Sequence, residues 1–134
     1  MKLLLVDDSV DIWILLKDLL ADVPGLEIAG EAGDVSEAVE LARTLQPDVV
    51  ILDIHLTGGS GIEVLHKIKQ MQPAPVVIML TSLSHPAYRP AALEAGADYF
   101  FEKTTGLLEM HRTLKELARE ASTTVRSGAP GKES

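Results

Sequence analysis

Five short apolar runs recur along the chain at regular spacing: KLLLV (2–6), LEIAGE (26–31), DVVIL (48–52), PVVIML (75–80) and DYFFE (98–102). Segments of helical period separate them. Val35, Ala38, Val39, Ala42 and Leu45 mark one face of a helix that Asp34 is placed to N-cap and that Pro47 follows. Ile62, Leu65, Ile68 and Met71 mark another after the GGSG turn, and Leu107, Leu108, His111, Leu114, Leu117 and Ala118 mark a last one. Strands alternating with helices predict βαβ units and a parallel sheet covered on both faces. The first, third and fourth runs are continuously apolar, as strands buried on both sides require. The expected fold class is therefore α/β, a doubly wound five-stranded parallel sheet. After Thr81 the pattern loosens. Pro86 and Pro90 do not both fit inside one helix, so the helix there starts late or has a loose first turn.

At 134 residues the chain has the size of one domain, and its 46% apolar and 24% charged residues are globular in composition. Cysteine is absent, which excludes disulfides and thiolate chemistry. The amino terminus, MKLLLVDDS, is too short an apolar run for a signal or a membrane span, so a cytoplasmic protein without membrane contact is expected. A net charge of −8 argues against direct nucleic-acid binding by this domain. The end of the chain, ASTTVRSGAPGKES (121–134), is small, polar and Gly/Pro-containing. It reads as a disordered tail or the start of a linker after a domain spanning 1–120.

Each strand end carries polar chemistry. Asp7 and Asp8 follow the first run, Asp53 the third, Thr81 and Ser82 the fourth, and Lys103 the fifth. In an open parallel sheet these ends share one edge, where ligands bind at the point of strand-order reversal. Crowded carboxylates repel and raise one another's pKa values unless a cation sits among them. One lysine is insufficient for three acids, so a divalent metal completes the site, and oxygen-only ligands suit Mg²⁺ or Mn²⁺. Such a metal can also bind a phosphoryl group, and a carboxylate can attack phosphorus to give an acyl phosphate.

With LLLVDDS, PDVVILDIHLTGGSGIEVL, PVVIMLTS and ALEAGADYFFEK in this order, residues 1–120 resemble a receiver domain of the bacterial two-component response regulators. The resemblance implies a flavodoxin-like fold with five helices and strand order 2-1-3-4-5. It makes Asp53 the acceptor of phosphate from a sensor histidine kinase or phosphotransfer protein. It also implies Mg²⁺ held by Asp8 and Asp53 directly, by Asp7 through water, and by the backbone carbonyl of His55. Thr81 and Lys103 would contact the phosphoryl oxygens, with Ser82 beside Thr81, and Phe100 takes the place of the aromatic switch. The output would be a downstream protein or a further domain, reached through the fourth and fifth helices and the last strand. The domain would be a monomer or a phosphorylation-dependent dimer, and a switch rather than an enzyme. The rival reading is an aspartyl-nucleophile phosphatase of the haloacid dehalogenase type. DIHLT faintly echoes that class's Asp-x-Asp-x-Thr, but His55 replaces the second acid.

Three positions depart from the family pattern. Thr104 stands where proline commonly follows the lysine through a cis peptide, Thr57 stands where proline commonly precedes the Gly-rich turn, and Phe100 lacks a tyrosine's hydroxyl. A cis bond before a non-proline residue costs roughly 2.5–4 kcal/mol, so either strain is retained or the loop differs. In the first helix, IWILL (12–16) exceeds one apolar face. Ile12, Leu15, Leu16, Leu19 and Leu20 can share the core side, leaving Trp13 and Ile14 to other cover. Because the resemblance implies that the first helix meets the kinase, Trp13, with Ile12 and Leu15, is a candidate for that docking, with packing at the helix edge as the alternative. The His55 imidazole is placed to affect the lifetime of the acyl phosphate. His66, His85 and His111 have no metal-site spacing and are expected at the surface or its boundary.

Overall fold

A computed structural model describes residues 1–82 and 86–127. Its elements run β1 (Lys2–Val6), α1 (Val10–Leu19), β2 (Glu27–Ala32), α2 (Val35–Leu45), β3 (Val49–Leu52), β4 (His55–Leu56), β5 (Gly59–Ser60), α3 (Gly61–Ile68), β6 (Val76–Thr81), α4 (Tyr88–Glu94), β7 (Tyr99–Glu102) and α5 (Leu107–Ser127). The main sheet is parallel in the order β2-β1-β3-β6-β7. This is the expected doubly wound order, with a two-residue antiparallel hairpin, β4–β5, inserted after β3.

Strand alternation divides the core in two. Leu4, Val6, Val50, Leu52, Val77 and Met79 face one way and pack with Ala38, Val64, Leu65, Ile68 and Ala92. Leu3, Leu5, Val49, Ile51, Ile78 and Leu80 face the other, toward Leu16, Met110, Leu114 and Ala118. Central strands feed both clusters, so every residue of β3 is buried, whereas the edge strands β2 and β7 are mostly half-buried. A one-residue slip of β1 or β3 would exchange the two sets, so burial fixes the register.

Capping follows the sequence closely. Asp34 Oδ1 accepts the Glu37 N–H at 2.7 Å, while the Glu37 carboxylate accepts the Gly33 N–H at 3.0 Å. Ser9 caps α1 and Ser60 caps α3. α4 does start late. Its N-cap position is Ala87, without a side-chain bond, and Pro90 falls in the first turn, where a missing N–H costs nothing.

Three expectations are corrected. On α1, Leu15 is 45% exposed rather than on the core side, and Trp13 is half-buried against the α1/α5 cluster. With Leu16 at the centre of the buried face, Leu15 is displaced by about 100°, whereas Trp13 is displaced by only about 60°. On α5, Leu108 is 74% exposed because Met110, absent from the expected face, lies at its centre. α5 also continues past residue 120 to Ser127, because no helix breaker occurs before Gly128 and Pro130. Residues 128–134 of the expected tail, and His85, lie outside the described residues. Among the described residues no helix is long and apolar enough to cross a membrane.

Candidate functional site

The sheet ladder runs one step past each strand and delivers the polar residues to a single edge. The Asp7 N–H donates to the Ala32 carbonyl, that of Asp53 to Val6 and that of Lys103 to Thr81, each at 2.9 Å. β1 and β3 pair through Val6 and Leu52, which sets Asp7 and Asp53 side by side. One carboxylate oxygen each from Asp7, Asp8 and Asp53 lies within 4.8 Å of the others. Asp7 and Asp53 are buried, Asp8 is exposed, and Thr81 is fully buried at the end of β6. The Lys103 ammonium reaches two of the acids, at 2.6 Å from Asp7 Oδ2 and 3.1 Å from Asp53 Oδ2.

Backbone donors complete the cluster. The Ser9 N–H donates to Asp7 Oδ1 at 2.9 Å and the His55 N–H to Asp53 Oδ1 at 3.4 Å. Burial pushes the Asp7 pKa above its ordinary 3.8, and the neighbouring Asp53 carboxylate adds to this. The hydrogen bonds from Lys103 and Ser9 oppose the shift without cancelling it. On Lys103 burial is the largest single influence and lowers the pKa, yet Asp7 and Asp53 together raise it above 10.5. The two partners therefore respond differently to one contact. The lysine gains from two acids, whereas each acid shares one lysine and meets another acid.

Such a site has negative charge in excess of its own cation. Hard oxygen donors on two buried strand ends and one exposed loop residue fit a divalent cation that retains waters. Asp7, Asp8 and Asp53 are the acidic groups that could hold it.

Around this centre, the His55 imidazole is exposed and meets the Tyr88 ring edge-to-face at 5.5 Å. Phe100 is half-buried on β7. The Arg89 guanidinium lies 5.6 Å from its ring centroid and donates to its carbonyl at 3.4 Å. Ser82 is exposed beside Thr81. The peptide between Lys103 and Thr104 is trans, so at the first departure from the family pattern the loop differs. Val10, Ile14 and Leu15 form the exposed apolar side of α1, while Ile12 and Trp13 turn toward the core.

Sequence reasoning missed four contributors. Ser9 supports Asp7, and Tyr88 and Arg89 carry the contacts to His55 and Phe100. Gly61, read only as part of a turn, donates its N–H to the Ile54 carbonyl at 2.6 Å. A Cβ on Gly61 would overlap the Asp53 carbonyl oxygen and lie 2.8 Å from its carbon, so α3 can dock under the acid only through glycine. The spacing of Asp53 from the GGSG run was the available signal.

The fold and this charge arrangement define a class: flavodoxin-like α/β domains with an acidic pocket at the switch point of the sheet. Residues 3–115 match the response regulator receiver domain family, and the chain belongs to it. It is 32% identical over 116 residues to the response regulator GacA of Pseudomonas aeruginosa, covering 87% of this chain and 54% of that protein. To a protein-glutamate methylesterase/protein-glutamine glutaminase of Pyrococcus horikoshii it is 35% identical over 130 residues, 96% of this chain and 34% of that one. Among solved structures, the response regulator domain of Thermotoga maritima CheB superposes with a TM-score of 0.72 at 36% identity, covering 95% of this chain and 94% of that domain. The chain thus spans about half the length of GacA and a third of the methylesterase. Its role is that of a phosphoacceptor domain in two-component signalling.

Proposed function

We propose that Asp53 is the phosphoacceptor of this receiver and that Asp7, Asp8, Thr81 and Lys103 serve its reaction. The observation carrying this reading is the convergence of three carboxylates within 4.8 Å, two of them bridged by one ammonium. A carboxylate oxygen of Asp53 attacks the phosphorus of a kinase phosphohistidine. The new O–P bond forms as the P–N bond breaks and the imidazole departs, leaving an acyl phosphate on Asp53. Lys103 and the Thr81 hydroxyl contact the phosphoryl oxygens, with Ser82 beside them, as charge develops. Asp8, Asp53 and the His55 carbonyl, with Asp7 through water, would hold Mg²⁺ or Mn²⁺, which would neutralise the crowded charge and align the phosphoryl group.

The domain acts on no external substrate. It stores the phosphoryl group, and the added charge biases Thr81, Phe100 and the weakly capped α4 between two arrangements. The donor is a cytoplasmic sensor kinase or phosphotransfer protein that docks on Val10, Ile14 and Leu15, the exposed apolar side of α1 beside the pocket. Output passes through α4, β7 and α5, where Leu93, Tyr99 and Leu108 are exposed, to a separate protein or a linked domain. In both relatives the match covers only part of the length, 54% of the response regulator and 34% of the methylesterase, which supports a linked domain as the output.

Incubation with acetyl phosphate and Mg²⁺ should label the chain stoichiometrically, and Asp53→Asn should abolish the label. Full labelling of Asp53→Asn would overturn the assignment. Continuous turnover of small phosphomonoesters would instead favour a phosphatase.

A further inference from the structure

Lys103 links Asp7 to Asp53 through a flexible side chain, so the backbone that launches it must itself be fixed. One anchor is the bond from its N–H to the Thr81 carbonyl at 2.9 Å. A second lies three residues on. The Gly106 N–H donates to the Glu102 carbonyl at 2.7 Å, closing one turn over Lys103, Thr104 and Thr105. The Gly106 carbonyl in turn accepts the Met110 N–H at 2.9 Å and opens α5. Thr104 and Thr105 are exposed, whereas Gly106 is buried. A Cβ on Gly106 would lie 2.9 Å from the Glu102 carbonyl oxygen, 2.9 Å from Phe101 Cβ and 3.0 Å from the Glu102 nitrogen. Two of these neighbours are backbone atoms of the residue directly before Lys103. They cannot yield without moving the lysine.

We infer that Gly106 is a positioning residue for Lys103. By allowing the turn to close against β7, it holds the ammonium between Asp7 and Asp53. There the ammonium balances part of the carboxylate charge and competes with a divalent cation for the same oxygens. This rests on the metal-binding part of the proposed function and not on phosphoryl transfer.

Calorimetric titration of the full chain with Mn²⁺ near neutral pH tests it. Lys103→Ala should bind Mn²⁺ more tightly than wild type, by about 3- to 10-fold, because the competing cation is gone. Gly106→Ala should shift affinity the same way, and the Gly106→Ala/Lys103→Ala double variant should bind no more tightly than Lys103→Ala alone. A merely loosened pocket would bind the ion more weakly, so the direction separates positioning from general damage. Unchanged or weaker binding in Gly106→Ala, or additive effects in the double variant, would overturn the inference. If Gly106→Ala does not fold, Thr105→Gly loosens the same turn without adding an atom, and unchanged affinity there overturns the inference equally. Absence of Mn²⁺ binding by wild type would sink the metal reading and this inference together. Labelling of Asp53→Asn would sink only the acceptor assignment.

Discussion

Two ionic clusters of this domain use the same chemistry to opposite ends. In the pocket, Lys103 lies between Asp7 and Asp53, and burial drives Asp7 above its ordinary pKa. At the opposite end of α1, Asp22 meets His111 Nε2 at 2.8 Å and Lys115 at 3.8 Å, and its pKa is lowered, first by the His111 hydrogen bond. One aspartate meets a histidine and a lysine at the surface, while the other shares one cation with a second acid away from water. Asp22 ties the loop after α1 to α5 and suits its surroundings. Asp7 does not, and that misfit is what a cation or phosphoryl group can relieve.

The contrast is broken most severely at Lys103. Lys103→Ala leaves two largely buried carboxylates facing each other, and the metal-free protein should lose roughly 3 kcal/mol, as for other broken buried pairs. Chemical denaturation with and without Mg²⁺ measures this, and Mg²⁺ should restore more stability to the variant than it adds to wild type. The raised pKa of Lys103 means that its contribution is complete below the ordinary lysine value and is lost as pH rises through the folded-state value.

Asp7→Asn should act in the opposite direction. A carboxylate whose folded pKa is raised costs stability above that pKa, and the cost fades as pH falls through it toward the unfolded value. At neutral pH the variant should therefore melt higher than wild type while binding Mn²⁺ more weakly. A lower melting temperature would show that the Lys103 bond outweighs the crowding.

The smallest effect is expected at the exposed cluster. Asp22→Asn should lower the melting temperature slightly at neutral pH. Because the Asp22 pKa is depressed, its contribution is present above the ordinary carboxylate value and lost as pH falls through the folded-state value. The difference between variant and wild type should vanish in strong acid and shrink with added salt. Thermal melts across pH would show whether this pair stabilises at all.

Much of this was legible in the linear chain. The continuous apolar runs of β1, β3 and β6 announced buried central strands, and polar residues one step beyond them announced an edge site. Helix faces were less legible where several apolar residues run together. In IWILL and LLEM the period alone does not choose among neighbouring angles, and only packing placed Leu15 and Leu108 outside and Trp13 and Met110 inward. The unequal burial of Asp7 and Asp8 was also hidden. Both are aspartates after β1, but the ladder bond to Ala32 carries only Asp7 into the sheet.

Which groups reach the edge follows from strand period and strand-end chemistry, both local properties of the chain. Tertiary structure decided how they balance. Whether a carboxylate is crowded or paired depends on what approaches it from other strands. Gly61 against Asp53, and Gly106 against the residue before Lys103, are contacts whose tightness no local pattern expresses.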